Sequence, residues 1–148
     1  MLAVSPPKPP PPIVITDPVG DSGAAPDITK VRVVTSLKGR IAFIVSFATK
    51  YGSNSSLYVY LGSQYRLGPG GLEVWDPPAN DFEPLGSESG TFSVAPGGRA
   101  LEASTQLAEI GNPKTLLVVV QSLDGDGGTG QVDTARLRWT RGRQGRSP

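Results

Sequence analysis

Hydrophobic residues in this chain recur at every second position, the spacing of strands with one dry face. Val31 and Val33 alternate with Lys30 and Arg32, and Ile41, Phe43, Val45 and Phe47 share one face of the next run. Leu57, Val59 and Leu61 share a face with Tyr58 and Tyr60 opposite; Leu72 and Val74 do so with Glu73 and Trp75 opposite. Phe92 and Val94 mark a short strand, and Ala135, Leu137 and Trp139 alternate with Arg136 and Arg138. The continuous apolar run from Leu116 to Val120 predicts a central strand buried on both sides. Turn chemistry separates the runs at Lys38-Gly39, Gly68-Pro69-Gly70-Gly71, Pro77-Pro78 and Pro96-Gly97-Gly98. One helical hint, Thr105 to Ile110, has a cap at Ser104 or Thr105 and a stop at Gly111-Asn112-Pro113. The sum predicts an all-β fold: an antiparallel β-sandwich, in jelly-roll or immunoglobulin-like layers, with at most one short helix.

Two tails flank that pattern. Residues 1–12 are Pro-rich and predict an extended polyproline II spacer, or alternatively a ligand for a proline-recognising domain. Residues 141–148 are rich in Arg and Gly, read as a solvated end, with contact to an anionic polymer as the other option. The sandwich domain is expected over residues 13–140.

Composition narrows the chemistry more than the pattern does. The chain has no His and no Cys, and its only Met is Met1. Thiolate nucleophiles, disulfides, zinc and iron–sulfur sites and His/Met haem ligation are therefore outside its reach. The net charge of +1 is near balance, so no global field calls for nucleic acid. No apolar run approaches the roughly 20 residues of a membrane span. Met1-Leu2-Ala3-Val4 is too short for the apolar core of a leader peptide. Either the chain is intracellular or a leader has been removed; of these, the expected location is extracellular or on a bacterial cell surface, with the leader not present in this chain.

Several spaced matches point to a family. They are Asp17-Pro18-Val19-Gly20-Asp21; Ala25-Pro26-Asp27-Ile28 entering a strand; Gln64-Tyr65-Arg66-Leu67; Leu72-Glu73-Val74-Trp75-Asp76; and Leu116 to Ser122. In this order they resemble the DOMON-like β-sandwiches related to family 9 carbohydrate-binding modules. The resemblance covers roughly Asp17 to Trp139 and implies an exported domain that binds sugar or haem, or that sits as an accessory beside an enzyme. Relatives often carry an Asp-rich segment before the Tyr-containing strand, whereas here Leu61-Gly62-Ser63-Gln64-Tyr65 joins the two runs directly. Haem is excluded because its axial His and Met ligands have no counterpart.

Trp75 is the leading candidate for ligand binding. If Leu72 and Val74 face the core, Trp75 faces out beside Glu73. An indole stacks on the apolar face of a pyranose while neighbouring polar groups bond its hydroxyls. Tyr58, Tyr60 and Tyr65 are candidates to share that surface, with Asp76, Asn80 and Asp81 on the following loop. The competing reading has Trp75 covering a sheet edge or packing under Pro77-Pro78. Trp139 is expected in the core.

The remaining motifs are weaker. Gly125-Asp126-Gly127-Gly128-Thr129-Gly130 matches a dinucleotide fingerprint, but a strand-like segment follows where a helix is required, so it is read as a hairpin loop. Asp124 and Asp126, with Asp133, form one acidic set, and Asp17, Asp21 and Asp27 another. Ca²⁺ held between the opening and closing loops is one reading, and turn hydrogen bonds to the carboxylates are the other. The spacing after Asp124 fails the EF-hand pattern, with Gly128 and Thr129 at its fifth and sixth positions. Gly86-Ser87-Glu88-Ser89-Gly90 has Glu where a nucleophile elbow needs Ser. Glu73, Asp76, Asp81, Glu83 and Glu88 are read as surface charges rather than a glycosidase pair. No catalysis and no other cofactor are expected. Two function classes follow: a non-catalytic carbohydrate-binding domain, or a structural domain that assembles with a partner protein.

Overall fold

The computed structural model describes residues 12–16, 26–52, 55–85, 90–124 and 132–141. They form eleven strands: β1 (Ile13–Thr16), β2 (Ile28–Thr35), β3 (Arg40–Phe47), β4 (Ser55–Leu61), β5 (Tyr65–Gly68), β6 (Gly71–Asp76), β7 (Asp81–Pro84), β8 (Thr91–Val94), β9 (Ala100–Gln106), β10 (Thr115–Asp124) and β11 (Val132–Thr140). The first sheet runs β1-β2-β3-β9-β8 and the second β11-β10-β4-β5-β6-β7, with every pairing antiparallel. The fold is an all-β sandwich, as the alternation predicts. Among the described residues no helix is long and apolar enough to cross a membrane.

The inner faces carry the alternating apolar sets. Val31, Val33, Ile41, Phe43, Val45, Leu101 and Ala103 from the first sheet join Leu57, Val59, Leu61, Leu67, Leu72, Val118, Val120, Leu137 and Trp139 from the second in one buried cluster. Ile28 and Val31 both reach that core although they stand three positions apart, a spacing that alternates faces in a regular strand. A break in the β2–β3 register between Ile28 and Lys30 takes up the odd residue and restores both side chains to the interior.

Two expectations are corrected. The run from Leu116 to Val120 is buried on one face only. Leu116, Val118 and Val120 point inward, whereas Leu117 is 49% exposed on the outer face. The helical hint shrinks to a 3₁₀ turn at Leu107–Ile110, closed by Gly111 in the left-handed conformation. Ser104 and Thr105 are buried strand residues, not caps. The Ser104 hydroxyl accepts from Arg40 Nη2 at 2.8 Å and lies 2.6 Å from the Thr91 hydroxyl. Strand pairing with β3 and β8 thus takes these positions from the helix.

Polar bonds cross between the sheets where β10 and β11 meet β2. The Ile28 N–H donates to Asp133 Oδ2 at 2.7 Å, the Ser122 hydroxyl to the Pro26 carbonyl at 2.5 Å, and Trp139 Nε1 to Thr35 Oγ1 at 3.2 Å. All three are buried, so each bond is made in a medium where a missing partner is expensive. Gly98 serves the turn before β9 for two reasons. Its φ is +71°, and a Cβ there would stand 2.6 Å from the Tyr51 carbonyl oxygen.

Replacing Asp133 with Ala strands a buried N–H and removes a charged acceptor, so stability falls by about 2–3 kcal/mol. Urea unfolding of wild type and Asp133→Ala measures this, and a difference under about 0.5 kcal/mol would show that the bond contributes little.

Candidate functional site

The outward positions of β4, β5, β6 and β7 meet on one surface. Leu57, Val59 and Leu61 point inward, so Tyr58 and Tyr60 point out. Inward Leu67 sends Arg66 out, and inward Leu72 sends Glu73 and Trp75 out. Register does the rest. Tyr60 stands opposite Arg66, Arg66 opposite Glu73, and Trp75 opposite Phe82. The Trp75 N–H donates to the Gln64 carbonyl at 2.7 Å, which fixes its strand beyond the start of β5.

The result is a ladder of four aromatic rings. Trp75 and Phe82 meet edge to face at 5.2 Å, Phe82 and Tyr60 at 5.9 Å, and Tyr60 and Tyr58 tilt together at 6.2 Å. These separations suit the attraction between a ring's electropositive edge and its neighbour's electron-rich face. Arg66 is set among them, its guanidinium carbon 4.1 Å from the Tyr58 ring centre and 4.4 Å from that of Phe82. Arg66 Nε donates to Glu73 Oε1 at 2.5 Å, and both side chains are less than a fifth exposed. Burial pulls the guanidinium's pKa down, but hydrogen bonds to Glu73 and Tyr60 and the attraction of both groups outweigh it. Arg66 is therefore held more firmly charged than a free arginine.

The rings are not equivalent. Arg66 occupies a face of both Tyr58 and Phe82. Tyr58 also lies tight over Gly68, where a Cβ would come within 2.7 Å of the ring. Trp75 makes its one ring contact among the described residues with Phe82, and its indole, at the end of the ladder, is partly exposed like the other three rings. Trp139, by contrast, is core at 2% exposure.

Of the predicted residues, the structure brings Trp75, Tyr58 and Tyr60 together and separates Tyr65 and Asp76 from them. Tyr65 shares the inward face of Leu67 and packs against the core cluster, so its placement beside Tyr58 and Tyr60 is corrected. Asp76 follows Trp75 by one residue and belongs to the opposite side of β6. There it stands against Glu83, whose carboxyl is pushed up by the charge of Asp76, by a hydrogen bond to it, by some desolvation and by Asp81. The acidic loop is thus not beside the indole.

Two members of the ladder escaped the sequence reading. Phe82 is four residues past Pro78, and a four-residue loop at 77–80, with Asn80 at φ +54°, pairs it with Trp75. Arg66 lies between Tyr65 and Leu67; taking Leu67 as the inward residue places it. The alternation carries the signal for Arg66, whereas Phe82 is placed only by its pairing with Trp75.

Asp17, Asp21 and Asp126 lie outside the described residues, as does the glycine-rich segment 125–130. The segment after it is β11, a strand and not the helix a dinucleotide site requires. Asp27 is buried, and its N–H donates to Thr49 Oγ1 at 2.9 Å. Asp124 closes β10. Among the described residues no group of three or more carboxylates is placed to hold a metal ion. A separate concavity of about 350 Å³ lies by the β2–β3 turn, lined by Ser36, Lys38, Leu107, Asn112 and Arg141 among others, and includes none of the ladder. Compared with protein-family models, curated proteins and solved structures, the chain finds no match in any of the three.

Removal of Arg66 exposes Glu73 without its partner and opens the space between Tyr58 and Phe82. Arg66→Ala is expected to cost about 2 kcal/mol, with a coupling to Glu73→Ala of about 1 kcal/mol in a double-mutant cycle. Arg66→Lys should not restore the loss, because an ammonium cannot lie flat between two rings; additive single effects would dismiss the coupling.

Glu83 binds its proton more tightly in the folded chain than a free glutamate does. Its contribution to stability therefore declines as pH rises through the folded pKa. Glu83→Gln should raise the melting temperature at neutral pH, and the gain should fade at pH 3, where both states of the wild type are protonated. A gain that is the same at both pH values would assign it to something other than charge.

Proposed function

We propose that this chain is a non-catalytic binding domain for carbohydrate and that the ladder on the outer face of the second sheet is its binding surface. The observation that carries this reading is the partly exposed indole of Trp75, held at the end of a ring ladder with a charged pair beside it. A sugar's C–H face is apolar and its rim is polar. Laying it on an indole removes apolar area from water, while donors and acceptors at the edge bond the hydroxyls. Arg66 supplies N–H donors and Glu73 carboxylate acceptors, and both are already immobilised, so little side-chain entropy remains to be lost.

Roles within the site differ. Trp75 is the platform, and Tyr60 extends it. Tyr58 and Phe82 clamp Arg66 and support the surface from behind. The resemblance to DOMON-like sandwiches related to family 9 carbohydrate-binding modules agrees with this reading. So does the Pro-rich segment, which we read as a spacer that holds the domain clear of a bacterial cell surface.

Trp139 is shielded in the core, so ligand-dependent change in Trp fluorescence reports on Trp75. Titration with soluble glycans should give a saturable change in wild type and none in Trp75→Ala. Tyr60→Ala should weaken binding about tenfold, the scale of one moderate contact residue. If no glycan perturbs the emission, and the wild type self-associates while Trp75→Ala stays folded and monomeric, the face is a protein interface and the proposal fails.

A further inference from the structure

The same face extends past the ladder, and its charge has a sign. From β4 the register continues outward: Tyr60 stands opposite Val119 of β10, and Val119 opposite Arg136 of β11. Glu73, Arg66, Tyr60, Val119 and Arg136 thus form one row across the sheet. Next to it Leu117, half exposed, stands opposite Arg138. Inward Ala135, Leu137 and Trp139 fix both arginines on the outer face, and both are exposed.

Among the described residues this outer face carries Arg66, Arg136 and Arg138 against a single acid, Glu73, which is already engaged by Arg66. The nearby acids Asp76, Asp81 and Glu83 belong to the other side of the β6–β7 hairpin. The outer face of the first sheet has a similar balance, Lys30, Arg32 and Arg40 against Glu102, but carries no aromatic ring, so among the described residues only the second sheet joins exposed cations to a ring ladder. Along the second sheet's outer face the indole and the paired charges lie at one end and the exposed guanidinium groups of Arg136 and Arg138 at the other.

We infer that the carbohydrate bound here is an anionic polysaccharide, laid across the strands with one sugar on Trp75 and its acidic groups over Arg136 and Arg138. This rests on the proposed function above. Four strand spacings of about 4.8 Å separate β6 from β11, so the two ends stand roughly 19 Å apart. One sugar does not reach both, and an oligomer does. Val119 and Leu117 lie between and give the chain an apolar floor. Guanidinium forks match carboxylate, sulfate or phosphate groups in geometry as well as charge. Exposed ion pairs of this kind contribute about 0.2–1 kcal/mol each, so two of them set a preference of about tenfold, and salt screens it.

The test titrates the protein with a neutral gluco-oligosaccharide hexamer and an oligogalacturonate hexamer, at 50 and 500 mM NaCl. Wild type should bind the acidic hexamer about tenfold more tightly at low salt and lose that margin at high salt. Arg136→Gln/Arg138→Gln should bind both hexamers alike, with its melting temperature near that of wild type. Equal, salt-independent affinities in wild type overturn the inference and leave carbohydrate binding at Trp75 intact. The inference also fails if the double variant keeps the preference for the acidic hexamer, or if it self-associates with binding unchanged, which makes the arginines guards of an edge strand. Failure of both hexamers to bind, with Trp75 emission unaffected, overturns the carbohydrate reading itself.

Discussion

Burial of Leu57, Val59 and Leu61 between the sheets, with Leu67 and Leu72 beside them, decides the direction of every other side chain on β4, β5 and β6. A strand cannot turn a single residue over. A slip of one position would put Tyr58, Tyr60, Arg66 and Glu73 into the core and expose the aliphatic set. The penalty for burying a guanidinium and a carboxylate in an apolar layer, added to the lost burial, excludes that register. The outer surface is therefore the complement of the core and inherits its precision. Positions two apart along β4 bring the tyrosines to 6.2 Å, and the antiparallel hairpin brings Phe82 to within 5.2 Å of Trp75.

An aromatic surface of this size on an open sheet face is a liability in water, because apolar rings invite association. Arg66 changes its character. The guanidinium is planar, so it lies against Tyr58 and Phe82 while its Nε reaches Glu73, and its bonds to Glu73 and Tyr60 offset the cost of its burial. The rings keep Arg66 flat, Arg66 keeps the rings apart, and Glu73 keeps the charge in place. All four rings stay partly exposed, with Trp75 at the end of the ladder.

The fold was legible because period two is a strong signal where strands have one dry face, and β2, β3, β4, β6 and β11 all show it in their apolar positions. β1 and β7 were not legible as strands: Ile13–Thr16 adjoins prolines, and Asp81–Pro84 ends in one and reads as loop. Their pairing with β2 and β6 supplies what four-residue segments lack alone. At Leu116–Val120 five apolar residues in a row carry no parity, and only the placement of β10 shows which of them face out. The site divides in the same way. The outward side of Trp75, Tyr58 and Tyr60 follows from their neighbours in sequence. Tyr65 resembles Tyr58 and Tyr60 in type but faces inward, because Leu67, two residues on, fixes its face. The partnership of Arg66 with Phe82 depends on a tertiary register that no local pattern contains.

The polar bonds between the sheets lie where β10 and β11 meet β2, while the ring ladder occupies β4 to β7. The separation has a physical logic. Asp133, Ser122 and Trp139 project inward from the two strands whose outer face carries Val119, Leu117, Arg136 and Arg138. Bonds directed from the inner face fix the tilt of β10 and β11 against β2 without using any group on the outer face. Those outer side chains are left solvated and able to meet a partner, while the strands that present them cannot slide. Within the ladder the reverse holds. Rigidity comes from the outer face itself, through rings and an ion pair, and the inner side needs only aliphatic packing. A sandwich thus obtains one firm surface by two routes, polar bonds beneath β10 and β11 and aromatic contacts upon β4 to β7.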